Sequence, residues 1–307
     1  MKFIFIMLTM LTLAFVKVSA CDICGCGVGS YYIGLLPEFK KHFFGFRYQY
    51  KTLRTHIGAG GIESYLTSNE TYQTLEAWGG WNLGSRFRIL AFLPYNFNSR
   101  LNQDTVHRKN GLGDIAAMGY YRLLDSHHSI GERLLVQSLW IGAGIKLPTG
   151  SYEPYERDIY AQLPNTFQLG TGSVDLTLNA MYDIRLQDLG LNTNVSYKIN
   201  TANKYDYRYG NKFTANTQAY YKFNIQRVVT IVPNVGISYE GAVKDVSENK
   251  YQQDQSGGYS LMGSAGVEMS FSKIAVGGSF QTPVSQRLAG GSVKAFNRAV
   301  VHVSFTL

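Results

Sequence analysis

Residues 174–199 read VDLTLNAMYDIRLQDLGLNTNVSYKI, and this stretch decides the fold. Apolar residues such as Leu176 alternate with polar residues such as Thr177 along most of it. A period of two residues places successive side chains on opposite faces of a β-strand. The stretch therefore predicts two strands, at residues 174–184 and 189–199, each with one apolar and one polar face.

The same alternation recurs from residue 42 to the last residue and predicts twelve strands. They are residues 42–51, 72–83, 86–97, 114–124, 134–147, 174–184, 189–199, 213–223, 228–239, 259–271, 274–282 and 295–307. Most are near the roughly 9–11 residues that a tilted strand needs to cross a bilayer, and an even strand number is typical of bacterial outer-membrane barrels. Longer loops are expected at residues 56–71, 98–111, 149–172 and 241–258.

The composition agrees with a barrel whose outer surface contacts lipid. Charged residues make up 16% of the chain, against roughly 25% in a typical soluble protein. Aromatic residues make up 14%, and Tyr and Phe are favoured both in strands and in membrane-interface girdles. A soluble β-sandwich would have shorter strands, of about 5–6 residues. We therefore predict an all-β protein, a transmembrane antiparallel barrel of about twelve strands.

The first twenty residues have the pattern of a secretory signal. A basic start at Lys2 precedes the mostly apolar residues 3–16, and the small residues 18–20 then precede a cleavage point. No later segment has 18 consecutive apolar residues, so membrane residence is expected to be as a barrel. The predicted organisation is a signal peptide at 1–20, a Cys/Gly-rich segment and candidate plug at 21–41, and a barrel at 42–307 in the outer membrane of a Gram-negative bacterium.

All three cysteines of the chain, Cys21, Cys24 and Cys26, lie within six residues of one another. Three interpretations stay open. In the first, Cys21 follows small residues and fits a lipoprotein cleavage site. In the second, Cys21 and Cys24 could form a disulfide in the oxidising periplasm. In the third, the C-x-x-C-x-C thiolates could bind copper(I) or zinc. The segment is also a candidate docking site for a periplasmic partner.

Three glycine-rich motifs occur in a fixed order along the chain. Residues 110–114 read NGLGD, residues 141–150 read IGAGIKLPTG, and residues 169–175 read LGTGSVD. This ordered set resembles the outer-membrane "meta-pathway of phenol degradation" transporter-like family, over about residues 83–210. The resemblance implies a barrel and an association with the uptake of hydrophobic small molecules.

The motif residues have a local physical meaning that is architectural. Glycine allows a turn where a strand meets a loop, Asp after such a turn can accept backbone N–H bonds, and Pro ends strand pairing because it lacks a donor. The residues assigned this role are Gly111, Gly113, Asp114, Pro148, Gly150, Gly170, Gly172 and Asp175.

The expected function is passage of a small molecule, hydrophobic in character, or of a metal species. The face of residues 134–147 that carries Lys146 also carries Leu134, Val136 and Trp140, so the lumen is partly apolar if that face points inward. The alternative is a non-transporting, metal-binding or structural outer-membrane protein that docks a partner through the Cys segment.

No enzyme motif is present, and the net charge of +8 is not gathered in a basic nucleic-acid-binding module. The expected contacts are thus outer-membrane lipid and a small solute, without nucleic acid.

Overall fold

A computed structural model describes residues 42–153, 157–158, 161–162, 167–226 and 228–307. It contains twelve long antiparallel strands. They are β1 (Phe43–Thr55), β2 (Ser68–Leu83), β3 (Phe87–Asn102), β4 (Ala116–Ile130), β5 (Arg133–Lys146), β6 (Asp175–Leu186), β7 (Leu189–Ile199), β8 (Lys212–Tyr221), β9 (Val229–Ala242), β10 (Gly258–Phe271), β11 (Ile274–Leu288) and β12 (Lys294–Thr306).

The twelve strands close into a ring. Each pairs with its sequence neighbours, and β1 also pairs with β12, so that Phe44 lies opposite both Gly79 of β2 and Phe305 of β12. Closure gives every strand two hydrogen-bonded neighbours and removes the free edges that a bilayer cannot solvate. The predicted transmembrane antiparallel barrel of twelve strands is confirmed.

One predicted loop is wrong. Residues 98–111 were expected to be irregular, but Thr105–Leu112 is a strand that pairs with the second half of β3, from Thr105 opposite Asn102 to Leu112 opposite Tyr95. The turn between them places Gln103 at a φ of 49°. The hairpin formed by the second half of β3 and Thr105–Leu112 therefore adds strand pairing within the predicted loop. Pairing with β3 stabilises Thr105–Leu112 as a strand although its own strand propensity is weak.

The outer surface is a continuous apolar belt. Many outward-facing residues of the strands are large, apolar and exposed, as with Phe44 and Phe46 of β1. Phe44 stacks on Phe305 across the β1–β12 seam with ring centroids 5.2 Å apart. Further exposed belt residues are Tyr48, Trp81, Ile89, Leu93, Ile141, Leu178, Leu191, Ile237, Val267, Phe280 and Val301. An apolar belt around a closed barrel suits contact with lipid tails.

The alternate residues are buried and therefore point into the lumen. On β1 to β6 they form a packed layer, which we call the aromatic wall: Phe43, Trp78, Leu90, Phe92, Ala116, Met118, Tyr120, Trp140 and Met181. Trp140 and Lys146 are both buried, so the face of β5 that carries them does point inward. This half of the lumen is filled by side chains, as expected for a barrel of this size.

The two ends of the barrel differ in their connections. At one end the turns are short, such as residues 84–86 and 187–188, and at the other the connections are long, such as residues 147–174 between β5 and β6. Outer-membrane barrels have short periplasmic turns and long extracellular loops, which assigns the long-loop end to the cell exterior. Within the described ranges, no helix is long and apolar enough to cross a bilayer.

Candidate functional site

A cavity lies inside the barrel at the long-loop end, with a volume of about 160 Å³. Its wall is built mainly from β1, β2, β3, β8, β9, β11 and β12, and two residues from the long connections, Asp114 and Leu169, complete it. The inward side chains that line it include Arg47, Lys51, Leu53, Tyr72, Thr74, Glu76, Asn96, Asn98, Lys212, Asn216, Glu240, Gln281, Leu288 and Arg298. The lining is therefore amphipathic, with charged, amide and apolar groups facing one space.

Several charged groups of the cavity form ion pairs, and one of these pairs crosses the lumen. Arg47 forms a buried ion pair with Glu76 of the neighbouring strand. Glu240 of β9 accepts from Lys212 Nζ at 2.9 Å and also pairs with Arg298 of β12. Two strands separate β9 from β12, so the Arg298 side chain spans part of the lumen to reach Glu240 and narrows it at this level.

Residues 167–173, which we call the inner segment, cross the mouth of the barrel above the cavity. Phe167 is buried against Leu53, Tyr72 and Leu288, and its ring centroid lies 6.4 Å from that of Tyr72. Leu169 accepts a hydrogen bond at its carbonyl from Asn96 Nδ2 at 3.2 Å. A segment that leaves β5 and rejoins at β6 thus contacts the opposite wall, which constricts the entrance.

A buried ionic cluster anchors the inner segment to the barrel wall. Lys146 Nζ lies 2.5 Å from Asp114 Oδ2 and 2.9 Å from Asp175 Oδ2, and it donates to the Ser173 carbonyl at 3.0 Å. Lys198 Nζ lies 3.2 Å from the same Asp175 oxygen. We call Asp114, Lys146, Asp175 and Lys198 the ionic cluster; two cations and two carboxylates balance one another within it.

Asp114 also holds the backbone of the motifs. Its Oδ1 accepts from Gly150 N at 3.0 Å, and its Oδ2 accepts from Thr171 N at 2.9 Å. A side chain at position 170 would overlap Asp114 Oδ1 and lie 2.8 Å from the Gly150 carbonyl oxygen, so glycine allows this close approach. The three motifs of the sequence therefore meet at one point of the wall.

The remaining motif residues surround this point. Gly113 donates from its N–H to the Pro94 carbonyl at 2.9 Å, and Gly111 lies beside the Leu169 side chain. Pro148 comes two residues after β5 ends, and Gly172 has a φ of 69° next to Tyr152. Their architectural role stays a prediction.

Sequence reasoning did not assign Lys198, Arg298 or Glu240 to any site. Each occupies a polar-face position of an alternating strand, which is the signal that could have marked it as inward-facing. Alternation does not say which charges meet across a lumen, so their pairing was not predictable.

The cysteines Cys21, Cys24 and Cys26, the signal peptide and the candidate plug lie outside the described residues. In the described part of the chain, no three His, Cys, Asp or Glu side chains are grouped to hold a metal.

Opposite the aromatic wall, the inward face of β8 to β11 carries many polar side chains beside the buried Tyr220, Val232 and Met262, and we call this face the polar wall. Within the described structure, several buried side-chain atoms there have no hydrogen-bond partner: Asn216 Oδ1, Gln218 Nε2, Asn234 Oδ1, Ser264 Oγ and Ser279 Oγ. Gly236 and Gly266 take inward positions between them. An unpaired buried polar atom costs about 1–3 kcal/mol unless water or a solute contacts it. This wall is therefore suited to a hydrated path.

Residues 57–297 match the protein family described as putative MetA-pathway of phenol degradation. The chain belongs to this family. The match confirms the resemblance carried by the three motifs and extends it beyond them, to nearly all of the barrel. A search of curated proteins gave no match.

Solved structures share the barrel at low sequence identity. The COG4313 outer membrane channel from Pseudomonas putida F1 is similar with a TM-score of 0.63 and 12% identity, covering 92% of this chain and 100% of that one. The beta domain of the Bordetella autotransporter BrkA gives a TM-score of 0.53 and 9% identity, covering 87% and 100%. These likenesses establish the fold. The closed antiparallel barrel with its apolar belt confirms the predicted location in the outer membrane of a Gram-negative bacterium.

Proposed function

We propose that this barrel is a non-enzymatic conduit that carries a small organic molecule across the outer membrane. The observation that carries the proposal is the amphipathic cavity beneath the inner segment, continued toward the short-turn end by the polar wall. A barrel with a purely structural role gains nothing from inward polar atoms that lack partners, because each one lowers its stability.

The character of the cavity supports an organic solute over a metal ion. The carboxylates that line it are Glu76, Asp114 and Glu240, and each binds a Lys or Arg side chain of the barrel. Metal ions compete poorly for carboxylates that already neutralise buried cations. Leu53, Tyr72 and Leu288 offer an apolar surface on the same cavity, which an organic solute can contact.

The family name and the neighbour described as an outer membrane channel agree with this proposal, although neither names a solute of this chain. The alternative is a barrel that docks a periplasmic partner through the Cys segment without transport. Nothing in the described residues favours that alternative.

Conductance through the polar wall tests the proposal. The full-length protein, refolded in planar bilayers, should show small conductance steps. Ser264→Phe adds a ring to the polar wall and should lower the conductance severalfold. The matched control is Val267→Phe, which adds the same ring to the lipid face of β10, where Val267 is exposed. Absence of conductance from every variant, together with no solute uptake by liposomes, would overturn the proposal in favour of docking.

A further inference from the structure

Three cations lie in a row on the outer face of the barrel, at its long-loop end. Arg54 of β1 and Lys294 of β12 are direct cross-strand partners. The bridge between Leu288 and Val293 places Arg287 of β11 beside Lys294. Each of the three cations adjoins, along its own strand, a residue that is buried toward the lumen, so alternation turns the cation outward. We call Arg54, Lys294 and Arg287 the cation row.

The cation row carries more positive than negative charge. Arg54 forms an ion pair with Glu63 of the loop after β1, and the Glu63 side chain is exposed. In the part of the chain that the structure describes, Lys294 and Arg287 are exposed and form no ion pair. Like charges directly opposite on neighbouring strands destabilise a sheet. An anion that carries more than one charge would therefore stabilise this part of the sheet.

One aromatic ring lies beside two of the cations. The Arg54 guanidinium carbon lies 5.7 Å from the centroid of the Phe296 ring, and Lys294 Nζ lies 5.6 Å from the same centroid. Arg54 Nε also donates to Asn69 Oδ1 at 2.9 Å. Contacts with a ring or an amide direct a cation without removing its charge. Both side chains are therefore directed to one place on the outer face.

The cation row lies at the level of the membrane interface. Tyr259 of β10 is the cross-strand partner of Arg287, and its exposed ring stacks on that of Tyr239 with centroids 6.3 Å apart. Exposed aromatic residues continue around the barrel on β7 and β8, at Tyr197 and Phe213. Aromatic girdles of this kind mark where the apolar band of a barrel meets the lipid headgroups. Because the long loops assign this end to the cell exterior, the cation row faces the headgroups of the outer leaflet.

The row is a local feature of the barrel rim. Next to the exterior ends of β3, β5, β6 and β9, the outward residues are exposed and apolar: Leu101, Leu147, Val174 and Val243. Beneath the row, outward positions of β1, β11 and β12 are aromatic or aliphatic and exposed: Tyr50, Phe280 and Val301. A ligand that suits this sector has anionic groups at the headgroup level and an apolar part beneath them.

We propose that Arg54, Lys294 and Arg287 bind the phosphate groups of a phosphorylated glycolipid of the outer leaflet, whose acyl chains lie along the apolar belt beneath the row. Lys and Arg donate charge-assisted hydrogen bonds to phosphate oxygens, and clusters of such cations at a membrane surface attract anionic lipid. A neutral lipid would leave the excess positive charge unbalanced, and free inorganic phosphate would leave the belt unused. The site is on the outer face of the barrel, so the proposal is independent of the proposed conduit.

The probe is lipid A, a phosphorylated glycolipid, and the comparison is lipid A from which the phosphates have been removed. Native mass spectrometry of the full-length protein in detergent measures the bound fraction, in about 0.15 M salt, which screens charges beyond about 8 Å. Lipid A should bind at least about tenfold more tightly than the dephosphorylated lipid, which corresponds to about 1.4 kcal/mol. Inorganic phosphate at the same phosphate concentration should not displace it. Equal binding of the two lipids, or displacement by inorganic phosphate, would overturn the proposal.

A double variant locates the site. Arg287→Gln combined with Lys294→Gln removes two cations without leaving a carboxylate unpaired, and it should weaken lipid A binding at least about tenfold. Arg287→Lys combined with Lys294→Arg keeps both charges and should retain the binding. Retention of the heat-modifiable gel shift shows that each variant is folded.

The matched control is Arg108→Gln combined with Lys250→Gln. It removes two exposed cations at the same end of the barrel but outside the cation row, so the net charge changes equally. Lipid A should bind this control as tightly as it binds the unchanged protein. Unchanged binding in the variant of the row, or an equal loss in the control, would refute the assignment.

Discussion

The Lys146 ammonium lies 2.5 Å from the Asp114 carboxylate in the buried interior, although the two residues are 32 positions apart in the chain. This contact joins two of the three motifs, and Asp175 brings the third to the same ammonium at 2.9 Å. The motifs that identify the family are therefore parts of a single anchor for the inner segment.

Removal of the Lys146 ammonium should destabilise the barrel. Lys146→Met keeps the length of the side chain but leaves Asp114 without its cation in a buried site. Loss of one partner from a buried ion pair costs about 3–5 kcal/mol. Lys198 stays beside Asp175 at 3.2 Å, so we expect the lower end of that range. Urea unfolding followed by tryptophan fluorescence measures the change.

The matched control for that substitution is Lys244→Met, in an exposed pair with Asp254 at 2.5 Å. Exposed pairs contribute about 0–1 kcal/mol. Equal losses in the two variants would mean that the ionic cluster does not stabilise the barrel.

A methyl group at position 170 should loosen the inner segment without unfolding the barrel. In Gly170→Ala the added Cβ overlaps Asp114 Oδ1 and comes within 2.8 Å of the Gly150 carbonyl oxygen. Overpacking of this kind costs about 1–3 kcal/mol. We expect faster proteolysis in residues 147–174 and a larger conductance. Gly119→Ala on β4 is the control for the added methyl group, because its Cβ would lie 4.0 Å from the nearest neighbouring atom, the Ala143 carbonyl oxygen. Unchanged proteolysis in Gly170→Ala would contradict this account.

Stability should fall in mild acid because of His56, which lies in the loop after β1. Burial, and secondly the charge of Arg100, lower the pKa of His56 from 6.5 to about 4. The unfolded chain takes up a proton near pH 6.5, whereas the folded protein resists it until about pH 4. Above pH 6.5 His56 is neutral in both states and the free energy of unfolding does not depend on it. As the pH falls from 6.5 toward 4, only the unfolded chain binds the proton, so the free energy of unfolding decreases by at most about 1.4 kcal/mol per pH unit.

Comparison with His56→Asn measures that loss. Asn tolerates the positive φ of 57° at this position and takes up no proton in this range. Unfolding free energies of the two proteins should converge between pH 6.5 and 4. Parallel pH profiles would show that His56 does not titrate on unfolding.

The chemical state of the three cysteines stays a prediction, and each of its three interpretations gives a different experimental result. Mass spectrometry of the mature N-terminus should show an acylated Cys21 if the site is that of a lipoprotein. If the thiolates bind metal, the reduced protein should take up copper(I) or zinc, and Cys24→Ser combined with Cys26→Ser should abolish the uptake. An unmodified N-terminus without metal uptake, but with a Cys21–Cys24 bridge, would leave only the structural interpretation.

The alternation of residues such as Leu176 and Thr177 was sufficient to predict the strands and their number. This succeeds because a strand in a closed barrel has one face in lipid and one in the lumen, so the period of two is imposed on every strand. The motifs, read with their order, were sufficient for the family. The strand Thr105–Leu112, which pairs with the second half of β3, was not predicted, because its sequence lacks a clear apolar alternation.

The amino-acid sequence by itself determined the ring of strands. Only the tertiary structure decided which side chains contact one another inside the lumen. Arg298 reaches Glu240 across 58 positions of sequence, and Phe167 packs against Tyr72 from a loop that belongs to the other side of the barrel. Such contacts depend on strand register and on the closure of β1 against β12, which bring distant inward positions to one level of the lumen. Alternation specifies that a residue faces inward; the geometry of the closed ring decides which residue it faces.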